Sequence, residues 1–136
     1  MVDDEAMLTS MLTDFFSSLK YDVHCAMDWE AASELLDLYD YDAILLDLRL
    51  SGRSTESGLD LLRIARERHP QAGIMLQTGH TTDEISGEAM RLGADLVLEK
   101  PVQLQRFRRV LGEFEMRSTL RAHGAIAANE IPSAIM

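Results

Sequence analysis

The chain of 136 residues is long enough for one compact domain with a substantial core. It carries 23 acidic residues against 13 lysines and arginines, a formal net charge of -10. Such a charge disfavours direct binding of nucleic acid through phosphate contacts, so we expect protein or cation partners. The single cysteine, Cys25, excludes an internal disulfide and a thiolate metal cluster. We expect it to be a small buried hydrophobe at a strand end.

The sequence contains no segment that resembles a membrane anchor or a secretory signal. No apolar run approaches the roughly 20 residues that span a bilayer. The acidic first residues also lack the basic segment that opens a signal peptide. We therefore predict a cytoplasmic protein with no membrane contact.

Five segments have apolar residues at the three-to-four-residue spacing of a helix with one buried face. Asp4 and Asp28 are candidate N-caps of the first two helices, and Thr81 with Glu84 resembles a capping box for the fourth. Gly93 is expected to close that fourth helix. The predicted inward residues are Leu8, Leu12, Phe15 and Leu19; Ala32, Leu35, Leu36 and Tyr39; Leu61, Leu62 and Ala65; Ile85, Ala89 and Leu92; and Leu104, Phe107, Val110, Leu111 and Phe114.

Short apolar runs between these helices are typical of buried parallel strands. They are Val23 to Cys25, Ile44 to Asp47, Ile74 to Gln77, and Leu96 to Leu98. Strands that alternate with helices indicate a parallel sheet with right-handed crossovers and helices on both faces. We therefore predict a doubly wound α/β domain.

The pattern lacks an apolar strand ahead of the first helix, where only Met1 and Val2 precede the acids. We interpret the first strand as truncated: either the numbered chain starts late relative to its ancestor, or another segment fills the gap. The tail from Ile131 to Met136 is apolar enough to do so. However, Pro132 would remove a ladder hydrogen bond, which argues against the tail.

Polar residues stand at the predicted carboxyl ends of the strands, where open α/β sheets bind ligands. Asp47 ends one apolar run, Thr78 follows the next, Lys100 follows the last, and Asp3 and Asp4 stand near the start. Taken singly, each residue has a plain structural explanation as a helix cap, a strand end or a solvated side chain. Taken together, four successive strand ends would have to carry such residues by accident. We therefore predict one shared site.

The residue types of this site favour phosphoryl transfer with a divalent cation. The crowded carboxylates of Asp3, Asp4 and Asp47 favour a hard cation, Mg²⁺ or Mn²⁺. A carboxylate beside that metal and the Lys100 ammonium can attack a phosphoryl group, because both cations neutralise charge on the phosphoryl oxygens. Thr78 offers a hydroxyl donor to one of those oxygens, and the next residue, Gly79, leaves space.

In their order and spacing, four motifs resemble the receiver domains of bacterial two-component response regulators: Val2 to Glu5, Ile44 to Leu50, Thr78 to His80, and Gly93-Ala94-Asp95 running to Lys100-Pro101. The resemblance covers essentially Met1 to Glu115. It implies a flavodoxin-like fold with five helices and a five-stranded parallel sheet of order 2-1-3-4-5. We expect a receiver domain over residues 1–117, followed by a C-terminal tail or the start of a linker over 118–136.

The resemblance also implies a role for each site residue. Asp47 looks like the phosphoacceptor of a histidine-to-aspartate phosphorelay, Thr78 like the switch hydroxyl, and Lys100 like the lysine that pairs with Asp47 or the phosphoryl group. The same resemblance implies a phosphoacceptor domain that regulates, rather than an enzyme with its own substrate.

The metal ligands implied by the resemblance come from the first two of these motifs. By that resemblance we expect Asp4 to contact the metal directly and Asp3 to act through water. Asp47 and the backbone carbonyl of Arg49 complete the protein ligands.

Two departures from the family's pattern leave alternatives open. Val97 stands where the family often has an aromatic switch residue, and the loop after Asp47 has Ser51 in place of proline and is several residues longer. These features favour, as an alternative, a scaffold or dimerisation module that is not phosphorylated. A Mg²⁺-dependent phosphatase with an aspartyl intermediate is a third candidate, but it needs a second acid that the sequence does not clearly supply.

The expected partners are a sensor histidine kinase or phosphotransfer protein. A homodimer through the fourth helix, the last predicted strand and the fifth helix is also open. Arginines on the fifth helix are expected to form a solvated face or a contact for an acidic partner, with no direct binding of nucleic acid. They are Arg106, Arg108, Arg109, Arg117 and Arg121.

Overall fold

The structure is a computed structural model that describes residues 4–26, 28–47, 55–79, 82–100, 103–121 and 133–135. Of the predicted site and loop residues, Asp3, Arg49, Ser51, His80 and Thr81 lie outside these ranges. The elements in chain order are α1 (Asp4–Ser18), β1 (Asp22–His24), α2 (Trp29–Leu38), β2 (Ala43–Asp47), α3 (Thr55–Arg68), β3 (Gly73–Thr78), α4 (Asp83–Leu92), β4 (Leu96–Glu99), α5 (Leu104–Arg121) and β5 (Ser133–Ile135).

The strands form one parallel sheet in the order β1-β5-β2-β3-β4. Five helices accompany it, so the prediction of a doubly wound α/β fold is confirmed. The order is also the predicted one, with the C-terminal strand β5 in the place that the sequence pattern assigns to the first strand. The predicted boundary at residue 117 falls inside α5, and the segment 118–136 contributes β5.

The expectation that Pro132 keeps the tail out of the sheet is wrong. β5 pairs in parallel with β1 on one side and with β2 on the other. Pro132 comes before the first paired residue, Ser133, and a strand tolerates proline at its start because no internal ladder hydrogen bond is lost there.

Successive side chains of the central strands point to opposite faces of the sheet, and each face has its own hydrophobic cluster. Ile44 and Leu46 pack with α2, α3 and α4, whereas Ala43 and Leu45 pack with α1 and α5. Because both faces are covered, β2 and β3 have continuous apolar runs, as expected for parallel strands.

The predicted caps are confirmed at the start of α2 and at the end of α4, the N-cap of α4 is one residue later than predicted, and Asp4 is the first residue of α1. The Asp28 carboxylate accepts a hydrogen bond from the Ala31 N–H at 2.8 Å, and Gly93 closes α4 with a left-handed φ of 118°. The cap of α4 is Thr82 and not Thr81, since the Thr82 hydroxyl accepts from the Ile85 N–H at 3.2 Å. A threonine hydroxyl that accepts from the N–H three residues later suits an N-cap.

Three predictions of burial are wrong or incomplete. Cys25 is exposed, because it follows the edge strand β1, and its Sγ lies 3.1 Å from the Thr13 hydroxyl. Tyr39 is 49% exposed, because it is the extended C-cap residue of α2 and leaves the helical face. Phe16, four residues after the buried Leu12, is the fully buried aromatic of α1, whereas Phe15 is only partly buried.

Most of the other predicted inward residues are buried or half-buried, in agreement with the helical spacing. α5 continues to Arg121, beyond the end of its apolar pattern near Met116. Its arginines Arg106, Arg108 and Arg109 are exposed.

Candidate functional site

Asp47 lies where the buried strand β2 reaches the surface. The three residues before it, Ile44 to Leu46, are buried, and the Asp47 side chain is 22% exposed. The strand therefore holds the carboxylate rigidly, while leaving it accessible at the carboxyl end of the sheet.

Strand register places the other two predicted residues at the same end. Asp47 is opposite Gln77, so Thr78 stands one residue further along the neighbouring strand. Thr78 in turn is opposite Glu99, and Lys100 follows directly. The Lys100 N–H donates to the Thr78 carbonyl at 2.7 Å, which extends the ladder to the lysine.

The Lys100 ammonium donates a hydrogen bond to Asp47 Oδ2, so the two form an ion pair. Both side chains are 22% exposed, which leaves them partly shielded from water and so less screened than a surface pair. The structure thus joins two residues that are separated by 53 positions in sequence.

The residue after Thr78 is open on its described side. Thr78 is 2% exposed, but the next residue, Gly79, is exposed, and a Cβ added there would meet no atom of the described residues within 4 Å. The backbone after Thr78 is therefore open enough for a small group to approach the end of β3.

The metal part of the prediction falls mostly outside the described residues. Asp4 begins α1, but its side chain, like the whole of Asp3 and Arg49, is not among those described. Within the described ranges no group of three or more histidines, cysteines or acids could hold a metal ion. The Asp47 carboxylate is a hard oxygen donor of the type that Mg²⁺ prefers, so the described part of the site fits the metal.

A second charged pair fixes the strands that carry the site, and no sequence pattern predicts it. Asp95 Oδ2 accepts from the Ile74 N–H at 2.8 Å and from Arg66 Nη2 at 2.9 Å. Arg66 also donates to the carbonyls of Gly93 and Ala72. These bonds hold β3 and β4 in register at the end opposite Thr78 and Lys100. The only sequence signal was Asp95 itself, as part of the Gly93-Ala94-Asp95 motif.

Two buried tyrosines at the amino end of the sheet have altered pKa values. Burial, with smaller contributions from Tyr39 and Asp22, raises the pKa of Tyr41 to about 12. Burial also raises the pKa of Tyr21 well above its usual range, helped by the hydrogen bond to Glu115. Both residues precede their strands, so they belong to the structural base of the fold and not to the site around Asp47.

Among the described residues, no helix has the length and apolarity that a membrane crossing requires.

Comparison with known proteins agrees with this geometry. Residues 1–111 match the response regulator receiver domain. Over 110 residues the chain is 34% identical to the response regulator protein PilR of Pseudomonas aeruginosa. This alignment covers 81% of this chain and 24% of PilR. It is 37% identical over 124 residues to the transcriptional regulatory protein CitB of Klebsiella pneumoniae, covering 89% of this chain and 52% of CitB.

A similar solved structure is a response regulator protein from Burkholderia pseudomallei with a phosphorylated aspartic acid, a calcium ion and citrate. It matches with a TM-score of 0.73 and 26% identity, over 94% of this chain and 72% of that one. This chain spans about a quarter of PilR and about half of CitB, so it corresponds to one part of those proteins. Together, the fold, the strand-end residues and the match over residues 1–111 show that the chain belongs to the receiver domains of two-component response regulators.

Proposed function

We propose that Asp47 accepts a phosphoryl group from the phosphohistidine of a sensor kinase or phosphotransfer protein, in a step that requires Mg²⁺. The observation that carries this proposal is the ion pair between Asp47 and Lys100 at the end of the sheet that Thr78 shares. The phosphorylated aspartic acid in the Burkholderia pseudomallei response regulator supports the same chemistry.

In this step an oxygen of the Asp47 carboxylate attacks phosphorus, and the bond from phosphorus to the histidine nitrogen breaks. The leaving imidazole takes the electron pair. Lys100 neutralises charge on the phosphoryl oxygens, and the Thr78 hydroxyl donates to one of them. Asp47, Asp4 and the Arg49 carbonyl, with Asp3 acting through water, would hold Mg²⁺, which would add positive charge beside the same oxygens.

Phosphorylation is proposed to move the surface made by α4, β4 and α5. The Lys100 ammonium and the Thr78 hydroxyl turn from their resting partners to the new phosphoryl oxygens. Because Thr78 ends β3 and Lys100 follows β4, both changes occur beside that surface. A protein partner or a second copy of the chain would bind there.

The alternative, a scaffold that is not phosphorylated, has one observation in its favour. Val97 is partly buried against the core cluster of α2, α3 and α4. A β-branched side chain held there has few rotamers, so it is a poor switch residue.

Intact mass after incubation with acetyl phosphate separates the two functions. We expect one phosphoryl adduct on the native chain with Mg²⁺, none with a chelator, and none on Asp47→Asn. Asp42→Asn is the matched control, since Asp42 is an exposed acid at the opposite end of β2 and should leave the adduct intact. A folded native chain that gains no adduct would establish the scaffold instead.

A further inference from the structure

Gln77 is a buried polar residue that the proposed phosphoryl transfer does not use. It is the fifth residue of β3, and it is only 6% exposed. The strand register places it directly opposite Asp47 on one side and Leu98 on the other. Successive side chains of a strand point to opposite faces, so Gln77 shares the face of Met75, which packs with α1 and α5.

Asp47 and Lys100 lie on the same face of the sheet as Gln77. Asp47 is two residues after Leu45, and Lys100 is two residues after Leu98, and both leucines belong to the cluster with α1 and α5. Because β3 lies between β2 and β4, the ion pair between Asp47 and Lys100 crosses β3. Gln77 is therefore the β3 side chain at the level of Asp47 on the face where the ion pair crosses.

The Gln77 amide is within reach of the Asp47 carboxylate, because neighbouring strands are only about 4.8 Å apart. In the resting structure Lys100 binds Asp47 Oδ2, and the Gln77 amide has no hydrogen bond among the described residues. No fully enclosed side-chain nitrogen or oxygen of these residues lacks a partner. The amide is thus the part of Gln77 that reaches solvent, beside the ion pair.

We propose that the Gln77 amide donates a hydrogen bond to the Asp47 carboxylate as the phosphoryl group leaves, and thereby sets the lifetime of the phosphorylated chain. This inference rests on the proposed function, in which Lys100 turns from Asp47 to the phosphoryl oxygens. Gln77 then supplies the donor that the Asp47 oxygen has lost.

Hydrolysis of the phosphorylated side chain returns a full negative charge to Asp47. A water oxygen attacks phosphorus, and the bond from phosphorus to the Asp47 oxygen breaks. The electron pair of that bond stays on the carboxylate, and the proton of the water passes to solvent as inorganic phosphate leaves. A fixed N–H donor directed at the group on which charge develops lowers the barrier of such a step.

The lifetime of the phosphoryl adduct tests this role. The full chain and its variants are phosphorylated with acetyl phosphate and Mg²⁺, separated from the donor, and followed by intact mass. Gln77→Met keeps the length of the side chain without its N–H, so we expect it to lose the adduct at least about ten-fold more slowly. Gln77→Glu, which has no N–H either, should also slow the loss. Gln71→Met is the matched control, because Gln71 is exposed in the turn before β3.

Each other outcome is decisive. Equal lifetimes in the native chain and Gln77→Met would overturn this inference alone. A longer lifetime in Gln77→Met with a native lifetime in Gln77→Glu would also overturn it, because both variants lack the donor. So would a Gln77→Met chain that gains no adduct while the native chain does, since the amide would then serve uptake. No adduct on the native chain would overturn the proposed function, and this inference with it.

Discussion

At the scale of single residues, the site depends on one lysine that faces one carboxylate. The chain has two lysines, and they differ sharply: Lys100 pairs with Asp47, whereas Lys20 is exposed in the turn after α1. Charge alone therefore does not distinguish a functional lysine from a solvated one. The position of Lys100 directly after a buried strand does distinguish it, because that strand places the ammonium at the end of the sheet where Asp47 and Thr78 also lie.

This difference leads to a prediction for phosphoryl uptake. Lys100→Met should slow uptake from acetyl phosphate by about 100-fold, since it removes a positive charge directed at the transferring group. Lys20→Met should leave the rate unchanged. The rates are measured by intact mass over time at saturating Mg²⁺, and an equal rate for both variants would show that Lys100 has no part in the chemistry.

Tyr41 gives a prediction of alkaline stability. Its pKa in the folded chain is about 12 against 10.0 for the ordinary phenol, so the folded chain holds this proton more tightly than the unfolded chain does. The resulting stabilisation is fully present below pH 10 and is lost as the pH rises through about 12. Urea unfolding across this range should therefore show a smaller decline for Tyr41→Phe than for the native chain.

The comparison needs a reference, because Tyr41→Phe also removes a hydrogen bond between the phenol and His24 Nδ1 at 2.8 Å. Unfolding at about pH 8 measures that constant loss, which is then subtracted. A parallel decline of both proteins after subtraction would contradict the raised pKa of Tyr41.

At the scale of elements, α4 has one glycine inside it, Gly87, and another at its C-cap, Gly93, in opposite environments. Gly87 lies exposed inside the helix, and a Cβ there would meet nothing within 4 Å. Gly93 has a φ of 118° and lies against the Arg66 side chain, which an added Cβ would overlap. One helix thus offers a matched test of how local geometry decides the effect of the same substitution.

We expect Gly87→Ala to raise the free energy of unfolding by about 0.5–1 kcal/mol, since alanine loses less backbone entropy in a helix. Gly93→Ala should lower it by more than about 1 kcal/mol, because alanine at positive φ is strained and displaces Arg66. Both values come from chemical denaturation at neutral pH. The same sign for both variants would show that the left-handed end of α4 is not as described.

The Arg66 contacts also explain why β3 and β4 present their ends together. A single guanidinium bonds Asp95 and the ends of two neighbouring elements, and the whole group is partly buried. By contrast Arg63, on the same helix, makes exposed pairs with Asp60 and Glu67, and such pairs contribute little. The Arg66 contacts at the amino ends of β3 and β4 thus help to fix the register of these strands at their carboxyl ends, where the site lies.

At the scale of the whole molecule, the acidic charge predicts a specific response to Mg²⁺. Any salt should stabilise a chain of net charge -10 by screening its self-repulsion. A bound Mg²⁺ should add to this, by about 2.7 kcal/mol when the free metal is at 100 times its dissociation constant.

The measurement is thermal unfolding in MgCl₂ and in NaCl of equal ionic strength. We expect a higher midpoint in MgCl₂ for the native chain, and a much smaller difference for Asp47→Asn, since the substitution removes a proposed ligand. Equal midpoints in the two salts for the native chain would contradict a metal site that includes Asp47.

Local patterns predicted most of the helices, the central strands and the positions of Asp47, Thr78 and Lys100 at strand ends. They did so because helical spacing, buried apolar runs and capping residues act over a few neighbouring positions. The same patterns failed for Cys25 and Tyr39, whose exposure depends on the position of β1 at the sheet edge and on the extended end of α2. They also could not reveal the Arg66 and Asp95 pair, which joins residues 29 positions apart.

The sequence by itself determined the alternation of strands and helices, and thereby a parallel sheet with its polar residues at one end. Only the tertiary structure decided that Ser133–Ile135 fills the place between β1 and β2. The physical reason is that strands pair through backbone groups, which every residue carries. The amino-acid sequence of a three-residue segment therefore says almost nothing about which strands it will lie between.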